Sequence, residues 1–90
     1  MKIRLAHGAT LTTVEGKDVL FSVRSGESYG LNETAARMLR LGLETDLSQA
    51  AATMAADYGI GREDILADLE QLVQHLIQLA MVEPLSDQGG

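Results

Sequence analysis

Ninety residues are enough for one small domain with its own core, and 46 % hydrophobic against 22 % charged residues is an ordinary globular composition. The chain has no cysteine, which excludes disulfides and thiolate-bound metals. Its net charge of −6 is uneven, because residues 41–90 carry nine acidic side chains and a single cation, Arg62. An acidic half of this kind repels phosphate, so we expect no nucleic-acid partner.

The N-terminus has two cations, Lys2 and Arg4, but no apolar signal-peptide core follows them. No apolar run approaches the length of a membrane span. We therefore expect a cytoplasmic protein with no membrane partner.

The first third of the chain shows the two-residue period of β-strands. Residues 9–14 predict a first strand and residues 19–24 a second, with a turn over residues 15–18. Ser25-Gly26 predicts another hairpin turn before a short third strand over residues 27–31. Because the turns are short, the three strands should form an antiparallel meander whose third strand is an exposed edge. We expect the protein to act at this edge.

Side chains of the second and third strands alternate between two faces of this sheet. In the second strand one face carries Val19, Phe21 and Val23, and the other carries Leu20, Ser22 and Arg24. In the third strand Tyr29 and Leu31 share a face.

From Asn32 onward the apolar residues recur at the helical period. Asn32 is a good N-cap for a first helix over residues 33–41. The capping box at residues 46–49 opens a second, alanine-rich helix over residues 47–58. The third helix, residues 62–80, has the strongest pattern in the chain.

The apolar residues of the third helix fill an arc of roughly 160°, wider than the ~100° stripe that one packing layer needs. Part of the arc could therefore line a groove. The alternative is that two neighbouring helices and the sheet cover all of it. The arc consists of Ile65, Leu66, Leu69, Leu72, Val73, Leu76, Ile77, Leu79 and Ala80.

These elements predict an α+β fold, winged helix-turn-helix-like, in which a three-stranded antiparallel sheet is followed by three helices. We expect one domain over residues 1–90, ordered from about residue 3 to 83. Residues 81–83 predict a short terminal strand, and residues 84–90 a flexible tail.

The sequence contains no convincing catalytic constellation. Residues 26–30 spell G-E-S-Y-G, but a nucleophile elbow needs its serine on a turn that leads straight into a helix. Ser28 is instead predicted to lie in a strand. His7 and His75 have no ligand-like spacing, and Asp64 with Asp68 is typical of a solvated helix face. We therefore expect no enzyme activity, no metal site and no cofactor.

The predicted elements also fit a small winged-helix transcription regulator, which is the alternative function. A helix that reads DNA carries basic and polar residues at its N-terminal end. The second helix starts with Asp46 and no cation, and the third starts with Arg62 followed by Glu63 and Asp64. The surface is thus wrong for DNA although the fold is compatible with it.

Residues 26–35, Gly-Glu-Ser-Tyr-Gly-Leu-Asn-Glu-Thr-Ala, resemble the PqqD-like family of peptide chaperones, or precursor-recognition elements, of ribosomally made peptide natural products. The family pattern is a glycine turn, a short strand with an aromatic residue, and Leu-Asn-x-x-Ala opening the first helix. The resemblance continues through the second helix cap, the Tyr58-Gly59-Ile60 break and the long third helix. It covers about residues 9–83, and the order of the pieces carries most of its specificity.

The chain departs from the family pattern at two places. Ala80 stands where many relatives have glycine. Ser25-Gly26 stands where the pyrroloquinoline quinone chaperone has Pro-Glu-Gly. The second departure favours a stand-alone recognition protein of another pathway, such as lasso-peptide biosynthesis.

The resemblance implies that the leader segment of a precursor peptide adds as an antiparallel strand to the third strand, in a groove walled by the third helix. The implied site residues are Glu27, Ser28, Tyr29, Gly30 and Leu31 on the edge, with Arg62, Leu66, Leu69, Val73 and Ile77 on the helix. Arg62 would meet a leader carboxylate. A place in the core is the alternative for the four apolar helix residues and for Tyr29, and it is favoured for Leu69.

The resemblance also implies the partners. They are the leader peptide and a maturation enzyme, such as a leader peptidase or a cyclase, to which a non-catalytic protein delivers it. We expect a monomer, although an uncovered edge strand can also pair two copies in a strand- or domain-swapped dimer.

Overall fold

The computed structural model describes residues 1–85. Its elements in chain order are β1 (Lys2–Leu5), β2 (Ala9–Val14), β3 (Lys17–Ser22), β4 (Ser28–Leu31), α1 (Glu33–Glu44), α2 (Leu47–Tyr58), α3 (Arg62–Gln78) and β5 (Val82–Leu85). Strands β2, β3 and β4 form an antiparallel sheet in that order, and the three helices follow it. The predicted α+β fold is confirmed. Of the tail predicted to be flexible, Pro84 and Leu85 belong to β5, and residues 86–90 lie outside the described residues.

The β2–β3 hairpin closes with a two-residue turn at Glu15-Gly16, in which φ is 52° and 80°. Two successive residues with positive φ are typical of a type I′ turn, whose twist matches that of the flanking strands. The pair Val14–Lys17 closes the ladder directly against this turn. As a result β3 begins two residues earlier than predicted and ends at Ser22.

Strand β3 buries its less apolar face. Leu20 and Ser22 have 0 % and 2 % of their surface exposed, whereas Phe21 and Val23 have 38 % and 68 %. Helix α1 packs against β3 and β4 on the side of Leu20, which lies between Leu11 and Tyr29 across the ladders. Together with Leu31, these residues make the buried face the more apolar one for the sheet as a whole, so the pattern of β3 taken alone points to the wrong face.

The predicted helix starts are confirmed by their caps. The Asn32 side-chain oxygen accepts a hydrogen bond from the Ala35 N–H at 2.7 Å, and Asp46 accepts one from the Gln49 N–H at 2.8 Å. Each bond satisfies a backbone donor that the first turn of a helix leaves free. In α2 the small residues Ala50 and Ala51 are completely buried, which lets this helix lie close to α1 and α3.

The N-terminal strand β1 was not predicted. It pairs with β5 in a separate two-stranded sheet, with Ile3 opposite Pro84. Both strands of such a sheet are edges, where a proline is tolerated because its missing N–H can face away from the partner. Ile3 is only 2 % exposed, and the Met1 carbonyl accepts a hydrogen bond from the Leu47 N–H. The four residues of β1 are too few to show a clear period in the sequence. In the structure they nevertheless cover one end of the helical core.

Ion pairs tie the helices to their neighbours. Arg40 on α1 donates to the Asp18 carboxylate on β3, and this bond, with a second from the Thr13 hydroxyl, lowers the pKa of Asp18. Arg37 donates to Asp57 and Tyr58 at the end of α2, which raises the pKa of Arg37. Both pairs are exposed, so they orient the elements more than they stabilise them.

The end of α3 is a Schellman motif formed around a non-glycine residue. The Ala80 N–H donates to the Ile77 carbonyl, the Met81 N–H donates to the Leu76 carbonyl, and Ala80 has a φ of 59°. This left-handed conformation costs an L-residue about 1–2 kcal/mol, which is why glycine is usual here. The buried side chains of Leu76 and Met81 complete the motif.

We expect the substitution Ala80→Gly to stabilise the protein by about 0.5–1 kcal/mol, since relief of the left-handed strain exceeds the extra backbone entropy of glycine. The free energy of unfolding in urea measures this gain. The control is Ala67→Gly on the exposed face of α3, which should instead destabilise by about 1 kcal/mol. If both substitutions destabilise equally, the left-handed conformation at Ala80 is not strained.

We expect Ile3→Ala to destabilise the protein by about 2–5 kcal/mol, because it leaves a cavity where β1 meets the core. Urea unfolding again measures the change. The neighbouring exposed side chain offers a control, and Lys2→Ala should change stability by less than about 0.5 kcal/mol. Equal effects of the two substitutions would show that β1 does not contribute to the core.

Candidate functional site

Strand β4 is an edge of the three-stranded sheet, since within residues 1–85 it pairs only with β3. The Ser22 N–H donates to the Glu27 carbonyl at 2.9 Å, which sets the phase of the ladder. In an antiparallel pair every second residue is hydrogen-bonded to its partner. Tyr29 and Leu31 therefore bond to β3, whereas the backbone N–H and C=O groups of Ser28 and Gly30 point away from it.

The same reasoning gives the phase of the opposite edge, strand β2. There the Val23 N–H donates to the Gly8 carbonyl at 3.0 Å. The residues of β2 whose backbone groups point away from β3 are therefore Leu11 and Thr13, together with Ala9. The Ala9 N–H already donates to the Ala6 carbonyl, whereas Leu11 and Thr13 offer the same kind of outward backbone groups as Ser28 and Gly30. What distinguishes the two edges is therefore mainly their surroundings.

Helix α3 reaches β4 through an aromatic contact. The ring centroids of Tyr29 and His75 lie 5.3 Å apart with 58° between the ring planes. Leu72 and Leu79, three residues before and four after His75, lie on the same flank of the helix and are half-buried. The flank of α3 that contacts Tyr29 thus carries one imidazole and two aliphatic side chains.

The structure places the helix residues that the resemblance implied in two groups. Leu69 and Val73 have no exposed surface and belong to the core. Leu66 and Ile77 are half-buried, and they lie roughly 160–180° around the helix from His75, on the other flank. Arg62 donates a hydrogen bond to the Ser48 hydroxyl of α2.

On the strand, Glu27 precedes β4 and is exposed, Leu31 is buried, and Tyr29 is half-buried against α3. The structure thus brings Tyr29 into contact with His75. Arg62 contacts Ser48 instead, and Leu66 and Ile77 lie on the other flank of α3 by their helical angles.

The sequence analysis did not connect His75 with Tyr29, because His75 falls on the polar side of the helical pattern. The wide apolar arc of α3 has two margins, one on each flank of the helix. Helical periodicity alone does not show which of the two margins faces β4. The feature of the sequence that could have indicated the margin is Tyr29, because an aromatic ring packs well against another ring on the neighbouring element.

An open pocket of about 570 Å³ lies at the end of the sheet, next to Gly30. Its lining includes Lys17, Asp18, Val19, Gly30, Asn32 and Glu33. Val19 and Gly30 face each other across the β3–β4 ladder, on the outer face of the sheet away from the helices. A Cβ atom built on Gly30 would meet no other atom within 4 Å, so the space above this residue is free.

Among residues 1–85, no group of three or more His, Cys, Asp or Glu side chains could hold a metal ion. In the same part of the chain, no helix is both long and apolar enough to span a membrane. Ser28 lies in a strand and not at a strand-to-helix elbow, and both histidines are exposed. Ser28 therefore does not occupy the position that a nucleophile elbow requires.

An open sheet edge next to a long helix is the architecture of a protein that accepts an extended peptide as an additional strand. The sequence profile described as coenzyme PQQ synthesis protein D (PqqD) matches residues 19–82. The chain belongs to this family, as the resemblance indicated.

Two solved structures share the fold over nearly the whole chain. One is described as lasso peptide synthetase B1 complexed with the leader peptide, with 28 % sequence identity and a TM-score of 0.85, covering 93 % of this chain and 100 % of the other. The second is described as TbiB1 in complex with the TbiA(beta) leader peptide, with 18 % identity, a TM-score of 0.81 and coverage of 93 % and 99 %. A comparison with curated protein sequences finds no significant match.

Proposed function

We propose that this protein is a non-catalytic recognition protein that binds the leader segment of a ribosomally made precursor peptide, in a lasso-peptide type of pathway. The leader adds as an antiparallel strand to β4. The observation that carries the proposal is the free hydrogen-bonding edge of Ser28 and Gly30 beside the Tyr29–His75 contact. The 28 % identical structure, which was solved with a leader peptide, supports it.

The backbone of β4 can supply only part of the affinity. Ser28 and Gly30 each offer one donor and one acceptor, and each new hydrogen bond contributes about 1 kcal/mol net. Ordering a flexible leader costs several kcal/mol, and micromolar binding needs about 8 kcal/mol. Apolar anchors, at about 1.5–3 kcal/mol each, must therefore supply the remainder and the choice of leader.

For the wall of this groove we propose the flank of α3 that faces β4, formed by Leu72, His75 and Leu79. Leu69 and Val73 then support the groove from beneath as core residues. Arg62, Leu66 and Ile77 lie outside it, because they are turned toward α2 or the opposite flank.

We further propose that the bound leader is delivered to a maturation enzyme, such as a leader peptidase or a cyclase. Binding through β4 and one flank of α3 leaves the rest of the protein surface free for that enzyme. In this proposal the chemistry belongs to the partner enzyme, and the recognition protein supplies binding.

The substitution Ser28→Pro tests strand addition directly. It removes the outward N–H of an edge position without removing a hydrogen bond to β3, so the free protein should keep its fold. We expect affinity for a leader peptide to fall by about tenfold or more, since a donor is lost and the ring obstructs the added strand. Fluorescence anisotropy with the labelled leader of a precursor encoded beside this gene measures it.

Two controls accompany this substitution. Ser28→Ala keeps the N–H and should bind as the parent does. Thr13→Pro places proline at the equivalent phase of the β2 edge and should also leave binding unchanged. Strand addition to β4 would be contradicted if Ser28→Pro and Thr13→Pro weakened leader binding equally, or if Ser28→Pro did not weaken it at all. A silent titration together with salt-sensitive binding to duplex DNA would favour the transcription regulator.

The substitution His75→Ala tests which flank of α3 walls the groove. We expect leader affinity to fall by about three- to tenfold, the range of an aromatic contact worth 0.5–1.5 kcal/mol. Gln74→Ala is the matched control, because Gln74 is the adjacent exposed residue and points about 100° away from the groove. If Leu66→Ala weakens binding and His75→Ala does not, the groove lies on the other flank.

A further inference from the structure

Strand β2 is the second edge of the three-stranded sheet, and it has none of the features that protect an exposed edge. Within residues 1–85 it pairs only with β3, in a ladder without a bulge. Its six residues, Ala-Thr-Leu-Thr-Thr-Val, include no charge and no proline, and four of them are exposed. Edge strands are usually blunted by charges, proline, bulges or a covering element, because an unprotected edge pairs with another strand. The composition of β2 therefore points to a partner strand.

The hydrogen-bonding phase of β2 allows it to pair with the β2 strand of a second copy. The outward backbone groups belong to Leu11 and Thr13, whereas the Ala9 N–H is already bonded within the chain. If two antiparallel copies are centred on Thr12, Leu11 of each lies opposite Thr13 of the other, and every outward donor of these residues meets an acceptor. Centring on Leu11 would need the bonded Ala9 N–H, and centring on Thr13 would need Glu15, which lies in the β2–β3 turn.

The side chains that this register brings together are complementary. Thr12 of each copy lies opposite itself on the outer face of the sheet, and Val14, which is 53 % exposed, lies opposite Thr10 of the other copy. Phe21 is 38 % exposed and stands beside Thr10 on the next strand. Because β-branched and aromatic residues on neighbouring strands pack well together, the pairing covers apolar surface that a single copy leaves in water.

The charges at the two ends of β2 are complementary as well. Beyond the ladder, Glu15 of one copy comes next to Gly8 and Ala9 of the other. The stem of Arg24 packs over Gly8, since a Cβ atom built on Gly8 would lie 2.9 Å from the Arg24 Cγ atom. Within residues 1–85 of a single chain, neither Glu15 nor Arg24 forms a salt bridge. A two-fold axis through Thr12 places these opposite charges near each other at both ends of the joined strands.

The net charge of the chain does not oppose this contact. Residues 1–31, which contain the three-stranded sheet, carry four cations and three acids. The excess of acidic side chains lies in residues 41–90, which contain α2 and α3. The surface around β2 is therefore nearly neutral, although the whole chain carries −6.

We propose that β2 is the contact surface between two copies of this protein, which associate about a two-fold axis through Thr12. The joined sheet has the order β4-β3-β2 followed by β2-β3-β4 of the other copy, so both β4 edges lie at its outer ends. The dimer leaves each proposed leader site open, and neither the interface nor its test depends on leader binding. Because only a few backbone bonds and small side chains contribute, we expect a dissociation constant of about 10–100 µM and a monomer in dilute solution.

Sedimentation velocity of the full chain, over concentrations that span the expected dissociation constant, measures the association. We expect the sedimentation coefficient to rise with concentration from that of a monomer to that of a dimer. Thr13→Pro removes an outward N–H on both sides of the axis and should weaken association about tenfold or more. The matched control is Ser28→Pro, which removes an outward N–H at the β4 edge and should associate as the parent does.

The substitution Thr12→Cys tests the register, since the chain has no cysteine of its own. Opposed residues that are not hydrogen-bonded to each other, as Thr12 and its copy would be, have Cα atoms about 4.5 Å apart, within reach of a disulfide. Under oxidised glutathione we expect Thr12→Cys to give a disulfide-linked dimer on a non-reducing gel. The control Thr10→Cys carries its thiol on the same face, but its two copies would lie more than about 13 Å apart and should stay mostly unlinked.

A sedimentation coefficient that stays monomeric over the whole range overturns the proposal. Association that Ser28→Pro weakens and Thr13→Pro does not would place the contact at β4 and overturn it as well. Linking of Thr12→Cys and Thr10→Cys at equal rates would contradict the two-fold register, because random collisions do not distinguish the two positions. A protein that dimerises and cross-links as expected but binds no leader supports the dimer and contradicts the proposed function alone.

Discussion

The hydrogen-bonding phase of the β3–β4 ladder is the constraint on which the binding surface depends. Because β4 bonds to β3 through Tyr29 and Leu31, its other two residues keep their backbone groups unused and pointing outward. A shift of one residue would turn Tyr29 away from α3 and bury Gly30 instead. The register thus sets at the same time which backbone groups a peptide can reach and which side chains it meets.

Helix α1 holds that register in place. It follows β4 after a single residue, Asn32, whose side chain caps the helix. The ion pair between Arg40 and Asp18 joins the same helix to the middle strand. Together with the burial of Leu20 and Leu31, these contacts fix the sheet against the helical core, so that the edge is a rigid template. A preformed template reduces the entropy lost when a flexible peptide binds.

The backbone and the side chains of an added strand would have different roles, because side chains alternate between the two faces along a strand. Backbone groups provide affinity that is indifferent to the sequence of the leader, whereas alternate leader side chains enter environments on opposite faces of the sheet. One face leads to Tyr29 and His75, and the other to the open space at Gly30. Under the proposed strand addition, successive leader side chains would therefore meet different surroundings on the two faces of the sheet.

The sequence by itself determined the elements, because caps and periodicity are local: the helix starts at Asn32 and Asp46 and the strand with Tyr29 were all predicted correctly. It also indicated the family, through the order of these pieces. Strand β1 escaped detection because four residues show no period. Which face of β3 is buried, and which margin of α3 meets β4, only the tertiary structure decided. Both depend on where a distant helix packs, and an alternating strand or a wide apolar arc is compatible with either choice.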